Sequence, residues 1–136
     1  MQITRNRARN IGITAIASIL LLQAFIGFGC YEQDLLMFIT GIAWFLAIPL
    51  LPAVLSLLRA NPLGAVGACL LIAPWMLFAY YIDCVKPYAG GGASLAYVAV
   101  LLYGTPSAIL GALLMPWLCG KLGLHVITPA PGTDTV

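Results

Sequence analysis

Charge is what this chain has least of. Only 7% of its 136 residues are charged, six Lys or Arg against four Asp or Glu, with a single His. Soluble domains carry about 25% charged residues, so ten formal charges do not cover a water-facing surface of this size. The net charge of +2 is scattered, which excludes a basic nucleic-acid footprint. Four acids in the whole chain leave no polyvalent cation site. No P-loop, no G-x-G-x-x-G and no C-x-x-C is present. The last absence removes the close pair of thiols, one attacking and one resolving, on which thiol–disulfide oxidoreductases depend. No Asp, Glu, Lys, Arg or His lies in the middle of an apolar run. Intramembrane charges mark proton relays and ion paths, so a proton-coupled transporter finds no support.

What is present is apolar sequence: 62% hydrophobic residues and a mean hydropathy of +1.05. In lipid every backbone polar group must be satisfied within a helix or a closed barrel. Barrel strands alternate polar and apolar residues, whereas these runs are continuous. The expectation is therefore an all-α membrane protein with one domain over residues 1–127. Its helices are predicted at about 11–29, 35–58, 63–82 and 95–119, with a loosely ordered tail at 128–136. The first run has 19 uncharged residues after Arg5, Arg7 and Arg9. That is longer than the ~7–15-residue core of a cleaved signal, so a retained span is preferred to a signal peptide. Gly29-Cys30 resembles the end of a lipoprotein box but lacks the leucine three residues before the cysteine. Pro49, Pro52, Pro74, Pro106 and Pro116 fall inside the runs and predict kinks.

Short loops make successive helices antiparallel neighbours, an up-down-up-down bundle. The N-terminus, the 59–62 loop and the C-terminus then share one side with Arg5, Arg7, Arg9, Arg59 and Lys121, five of the six basic residues. Lys86 alone faces the other way. The positive-inside rule assigns both termini to the cytoplasm, and a bacterial inner membrane is the expected location.

Cys30 and Cys84 fall on the same outer side, at the ends of helices 1 and 3. Cys69 and Cys119 sit at different depths. An oxidising outer compartment favours a Cys30–Cys84 disulfide. Two unpaired thiols, or a redox or metal role, are the alternatives. Gln23 is the most polar side chain inside a run, and an interhelical hydrogen bond is the plainer reading than a substrate contact. His125, six residues past Cys119, has too few companions for a metal site. Ser94, Thr105 and Ser107 have no visible basic partner for nucleophilic chemistry. Small residues recur at helical spacing, Gly64 and Ala68 on helix 3, and Gly104, Ala108, Gly111 and Ala112 on helix 4. Such ridges let helices approach closely, inside the bundle or at a homodimer seam.

No catalytic, cofactor-binding or metal residue is expected. The leading expectation is a non-enzymatic protein working by contacts in the lipid bilayer, with another membrane protein or with itself. It would be an accessory subunit or an immunity- or exclusion-type protein. The expected partner surface is Tyr31, Glu32, Asp34, Asp83, Lys86 and Tyr88, aromatics and charges of the kind that anchor interfaces. The alternative is a small transporter, channel or lipid-handling protein with a cavity between kinked helices, near Gln23, Pro49 and Pro74.

Overall fold

The computed structural model describes residues 2–86 and 95–127. Tyr88 and the 128–136 tail lie outside the described residues. Four helices are long and apolar enough to cross a membrane: α1 (Arg5–Gly29), α2 (Leu35–Leu58), α3 (Gly64–Val85) and α4 (Ala96–Lys121). They coincide with the predicted runs to within a turn or two. The differences are at charged ends. The first helix begins at Arg5, because a basic flank continues a helix as readily as it leaves a membrane. The third runs through Asp83 and Cys84 and stops at Val85, one residue short of the Lys86-Pro87 step that disfavours further helix.

The expectation of a purely helical protein is amended by two short strands, β1 (Gln2–Thr4) and β2 (His125–Ile127). They pair in parallel, with Gln2 opposite His125 and Thr4 opposite Ile127. The turn into β2 follows from glycine. Gly123 adopts φ +69, Leu124 N–H donates to Cys119 C=O at 2.8 Å, and Gly123 N–H donates to Gly120 C=O at 3.2 Å. This closes the C-terminus of α4 with a left-handed glycine and reverses the chain. Ile3, Leu124 and Val126 then pack on a small cluster of Ala8, Leu63 and Cys119. Both ends of the described chain therefore meet at one end of the bundle.

The third helix is the hub. Of its apolar window 39% is buried, against 28% for each of the others, and it packs on α1, α2 and α4. The first helix touches α2 as well, though less extensively than it touches α3. The main core joins all four through Ile19, Ile26, Leu46, Leu50, Ala68, Ile72, Met76, Val100 and Ala108. The closest approach is between α3 and α4. A Cβ at Gly67 would lie 2.1 Å from the carbonyl oxygen of Gly111, and one at Gly111 would lie 2.1 Å from that of Gly67. Gly64, Ala68, Ala108 and Ala112 are buried around this crossing, so the small-residue ridges pack inside the bundle. Trp75 Nε1–H donates to Ser107 Oγ at 3.0 Å in the same interface. The outward faces carry Leu21, Leu36, Trp44, Leu58 and Leu102, all more than half exposed. Such continuous apolar surface is what lipid, and not water, tolerates.

Three helices contain a widened π turn: Ile42–Leu46 in α2, Tyr81–Val85 in α3 and Val100–Gly104 in α4. Two of these lie two or three residues before a proline of the same helix, Pro49 and Pro106. A helical proline cannot donate to the carbonyl four residues back, Phe45 or Leu102 here, and its ring presses on that turn. Widening the turn relieves the clash. Pro74 and Pro116 sit within regular α-helix.

Candidate functional site, a polar pocket at the disulfide-bonded end

The end of the bundle opposite the two strands is closed by a covalent bond. Cys30 and Cys84 form a disulfide, with Cα atoms 5.8 Å apart across 54 residues of sequence. It ties the turn after α1 to the last turn of α3. Cys69 and Cys119 are free and buried. The turn itself is tight: Cys30 N–H and Tyr31 N–H both donate to Ile26 C=O, and Gln33 N–H donates to Gly27 C=O at 3.0 Å. Glu32 takes a left-handed φ of 48 to make it. Asp34 then starts α2 as its N-cap, accepting from Met37 N–H at 2.7 Å.

The disulfide sets two neighbours face to face. Tyr31 follows Cys30, Asp83 precedes Cys84, and the Tyr31 hydroxyl donates to Asp83 Oδ2. Burial, then the hydrogen bond to Asp83 and that residue's negative charge, push the Tyr31 phenol well above the ordinary tyrosine range. Deeper in the bundle, Tyr97 of α4 donates its hydroxyl to Gln23 Oε1 of α1 at 2.9 Å. Gln23 is only 3% exposed. The most polar side chain of the first run thus makes the interhelical hydrogen bond expected of it. The Tyr31 and Tyr97 rings lie 5.8 Å apart, and Phe45 lies 6.0 Å from Tyr97, each pair tilted by 59°.

These groups enclose a cavity of about 250 Å³ lined by Gln23, Tyr31, Gln33, Gly41, Phe45, Asp83 and Tyr97. All four helices contribute a wall: Gln23 from α1, Gly41 and Phe45 from α2, Asp83 from α3 and Tyr97 from α4. Gln33 Oε1 is buried against Gly27 of α1, with no hydrogen-bond partner among the described residues. A second cleft of about 370 Å³, lined by Phe25, Gly29, Tyr80, Asp83 and the two cysteines, lies against the disulfide.

The residues expected to form one outer surface divide into two groups. Tyr31 and Asp83 are partly buried in the pocket wall, whereas Glu32, Asp34 and Lys86 are exposed. His125 is exposed in β2. Ser107 is engaged by Trp75, and the Thr105 hydroxyl donates to the backbone carbonyl of Leu101. Among the described residues no three His, Cys, Asp or Glu side chains group as metal ligands. Sequence reasoning does not single out Tyr97, Phe45 or Gln33. The available signal is depth: Tyr97 is the second residue of α4, and Gln23 lies about two turns inside the same end of α1.

No family model, curated protein or solved structure matches this chain.

Proposed function

We propose that this is an integral membrane protein that works by binding a small molecule or a lipid headgroup in the pocket between its four helices. The observation that carries the reading is the pocket's make-up. Every helix supplies a wall, and hydrogen-bonding groups of Gln23, Tyr31, Asp83 and Tyr97 converge in an otherwise apolar bundle. Polar groups at membrane depth are costly and concentrate at substrate and ion sites. A cavity with a few convergent polar groups is the common form of a binding site. In the proposed topology the helices run up-down-up-down, with both termini on the cytoplasmic side of a bacterial inner membrane. The pocket and the disulfide then face the oxidising compartment. The five basic residues gathered at the strand-bearing end support this orientation. The reaction class proposed is binding or transport, not catalysis.

A second reading is a contact protein, an accessory subunit or an immunity- or exclusion-type protein. It is favoured by the exposed charges of Glu32, Asp34 and Lys86 beside the pocket mouth. Native mass spectrometry of protein purified in mild detergent separates the two. A retained small molecule or lipid that is lost from Gln23→Leu supports the pocket reading. An empty protein holding a stoichiometric polypeptide, unchanged by Gln23→Leu, overturns it in favour of the second.

A further inference from the structure

The lining of the pocket narrows the chemistry of what it takes. Three aromatic rings, Tyr31, Phe45 and Tyr97, surround it, with Tyr97 within 6.0 Å of both others. One carboxylate, Asp83, stands in its wall. Among the described residues no Lys, Arg or His lines it. Aromatic faces carry negative potential and attract cations within about 6 Å of the ring centroid. Rings and carboxylate are suited to a positive guest, and neither is suited to a phosphate or carboxylate. The volume, about 250 Å³, is below the ~300–1,000 Å³ of drug-sized sites, so it fits a headgroup-sized moiety and not a whole lipid. The depth agrees, because Tyr31, Gln33, Asp83 and Tyr97 all lie at or near helix ends.

Resting on the binding role of this pocket, we propose that it recognises a small organic ammonium group, held over the Tyr31, Phe45 and Tyr97 rings and against the Asp83 carboxylate. The group belongs either to a free amine or to the headgroup of an amine-bearing phospholipid. The Tyr31–Asp83 hydrogen bond orients both partners. The disulfide between their chain neighbours holds that pair at the pocket mouth.

The test uses the full chain in nanodiscs of phosphatidylglycerol, titrated calorimetrically with choline and with its uncharged carbon isostere, dimethylbutanol. Choline is expected to bind at least about tenfold more tightly than the isostere, the scale of one desolvated cation–π contact plus a charge. Asp83→Asn and Tyr97→Leu are expected to abolish that preference, while His125→Ala at the far end leaves it intact. Should Asp83→Asn fail to form the disulfide, Phe45→Leu, which leaves Asp83 and both cysteines in place, reads the same preference. In a second arm, protein from mixed nanodiscs is examined for retained phosphatidylcholine or phosphatidylethanolamine over phosphatidylglycerol. Selective retention lost in Asp83→Asn assigns a lipid source, and saturable choline binding without it assigns a free amine; either supports the proposal. Equal binding of choline and the isostere overturns the ammonium assignment while leaving the pocket as a binding site. Binding of neither probe, with no headgroup preference, overturns the assignment; if Gln23→Leu also leaves the retained molecules unchanged, the binding role itself falls.

Discussion

Replacing Gly67 by alanine, like the same change at its partner Gly111, should do more damage than at the other described glycines. The added Cβ would stand 2.1 Å from the carbonyl oxygen of Gly111 and 2.6 Å from Met115 Cβ. Real Cβ atoms do not approach other heavy atoms within 3.0 Å, so the axes of α3 and α4 must part by about 1 Å. Neither obstacle is a flexible side-chain end that can swing away. A displacement of that size stretches the 3.0 Å Trp75–Ser107 hydrogen bond and loosens the Ala68 and Ala108 contacts at the crossing. Overpacking of this kind costs about 1–3 kcal/mol. Alanine's better helix propensity opposes it by about 1 kcal/mol in water, and by less where lipid already enforces helix. A net loss of about 1–2 kcal/mol is expected for Gly67→Ala and again for Gly111→Ala. The double variant should lose less than the sum, because the first methyl already separates the helices. Gly120→Ala is the control, since nothing lies within 4 Å of its added Cβ. Thermal unfolding in a mild detergent, followed by the accessibility of buried Cys69 to a thiol-reactive dye, reads all four. If Gly67→Ala unfolds with the wild type, or Gly120→Ala falls as far as Gly67→Ala, the close crossing is wrong.

Three further outcomes are accessible. Cys30→Ser should abolish the difference in mobility between oxidised and reduced protein; the stability lost has an upper bound of about 4 kcal/mol for a 54-residue separation, and less in a bilayer, where inserted helices have little freedom to lose. Tyr31 stays protonated in the fold above its ordinary value of 10.0, so its contribution is complete below pH 10 and is lost as pH rises beyond it, when only the unfolded state ionises; unfolding midpoints measured from pH 9 upward should fall more steeply for wild type than for Tyr31→Phe. Trp75→Phe keeps the ring that stacks on Tyr103 but deletes the donor to Ser107, at a cost of about 0.6–1.7 kcal/mol, and adding Ser107→Ala should cost little more.

The four spans are legible in the sequence because lipid imposes one rule on every residue it touches, and uncharged runs of about twenty residues leave little choice of structure. The disulfide is legible for a related reason: charge and depth reduce the pairing of four cysteines to one pair at one level. Features that depend on two distant segments meeting are not. Gln2–Thr4 and His125–Ile127 are too short to read as strands, and each pairs only because the helices bring the two ends together. Spacing points to Gly64, whose added Cβ would lie 2.8 Å from the carbonyl oxygen of Ala112, but passes over Gly67, where the approach is closest. Polarity marks Tyr31 and Asp83 as surface residues. It is the Cys30–Cys84 bond that turns them toward each other.

The pocket also depends on a feature that periodicity hides. Tyr97 and Gly111 are fourteen positions apart, close to four turns at ~3.6 residues per turn, so in a regular helix they would share nearly one face. Yet Tyr97 meets Gln23 of α1 while Gly111 meets Gly67 of α3. The π turn at Val100–Gly104 lies between them. One extra residue in a turn rotates the C-terminal part of a helix by about 100° relative to the N-terminal part. It lets a single helix present a small face to one neighbour and an aromatic hydroxyl to another. The same device acts in α2, where Phe45 of the pocket lies inside the π turn that precedes Pro49, and in α3, where Asp83 lies inside the Tyr81–Val85 turn. Pro49 and Pro106, expected to kink α2 and α4 and so to open a cavity between helices, each follow a widened turn by two or three residues. Those turns reset the faces that Phe45 and Tyr97 present relative to the rest of α2 and α4.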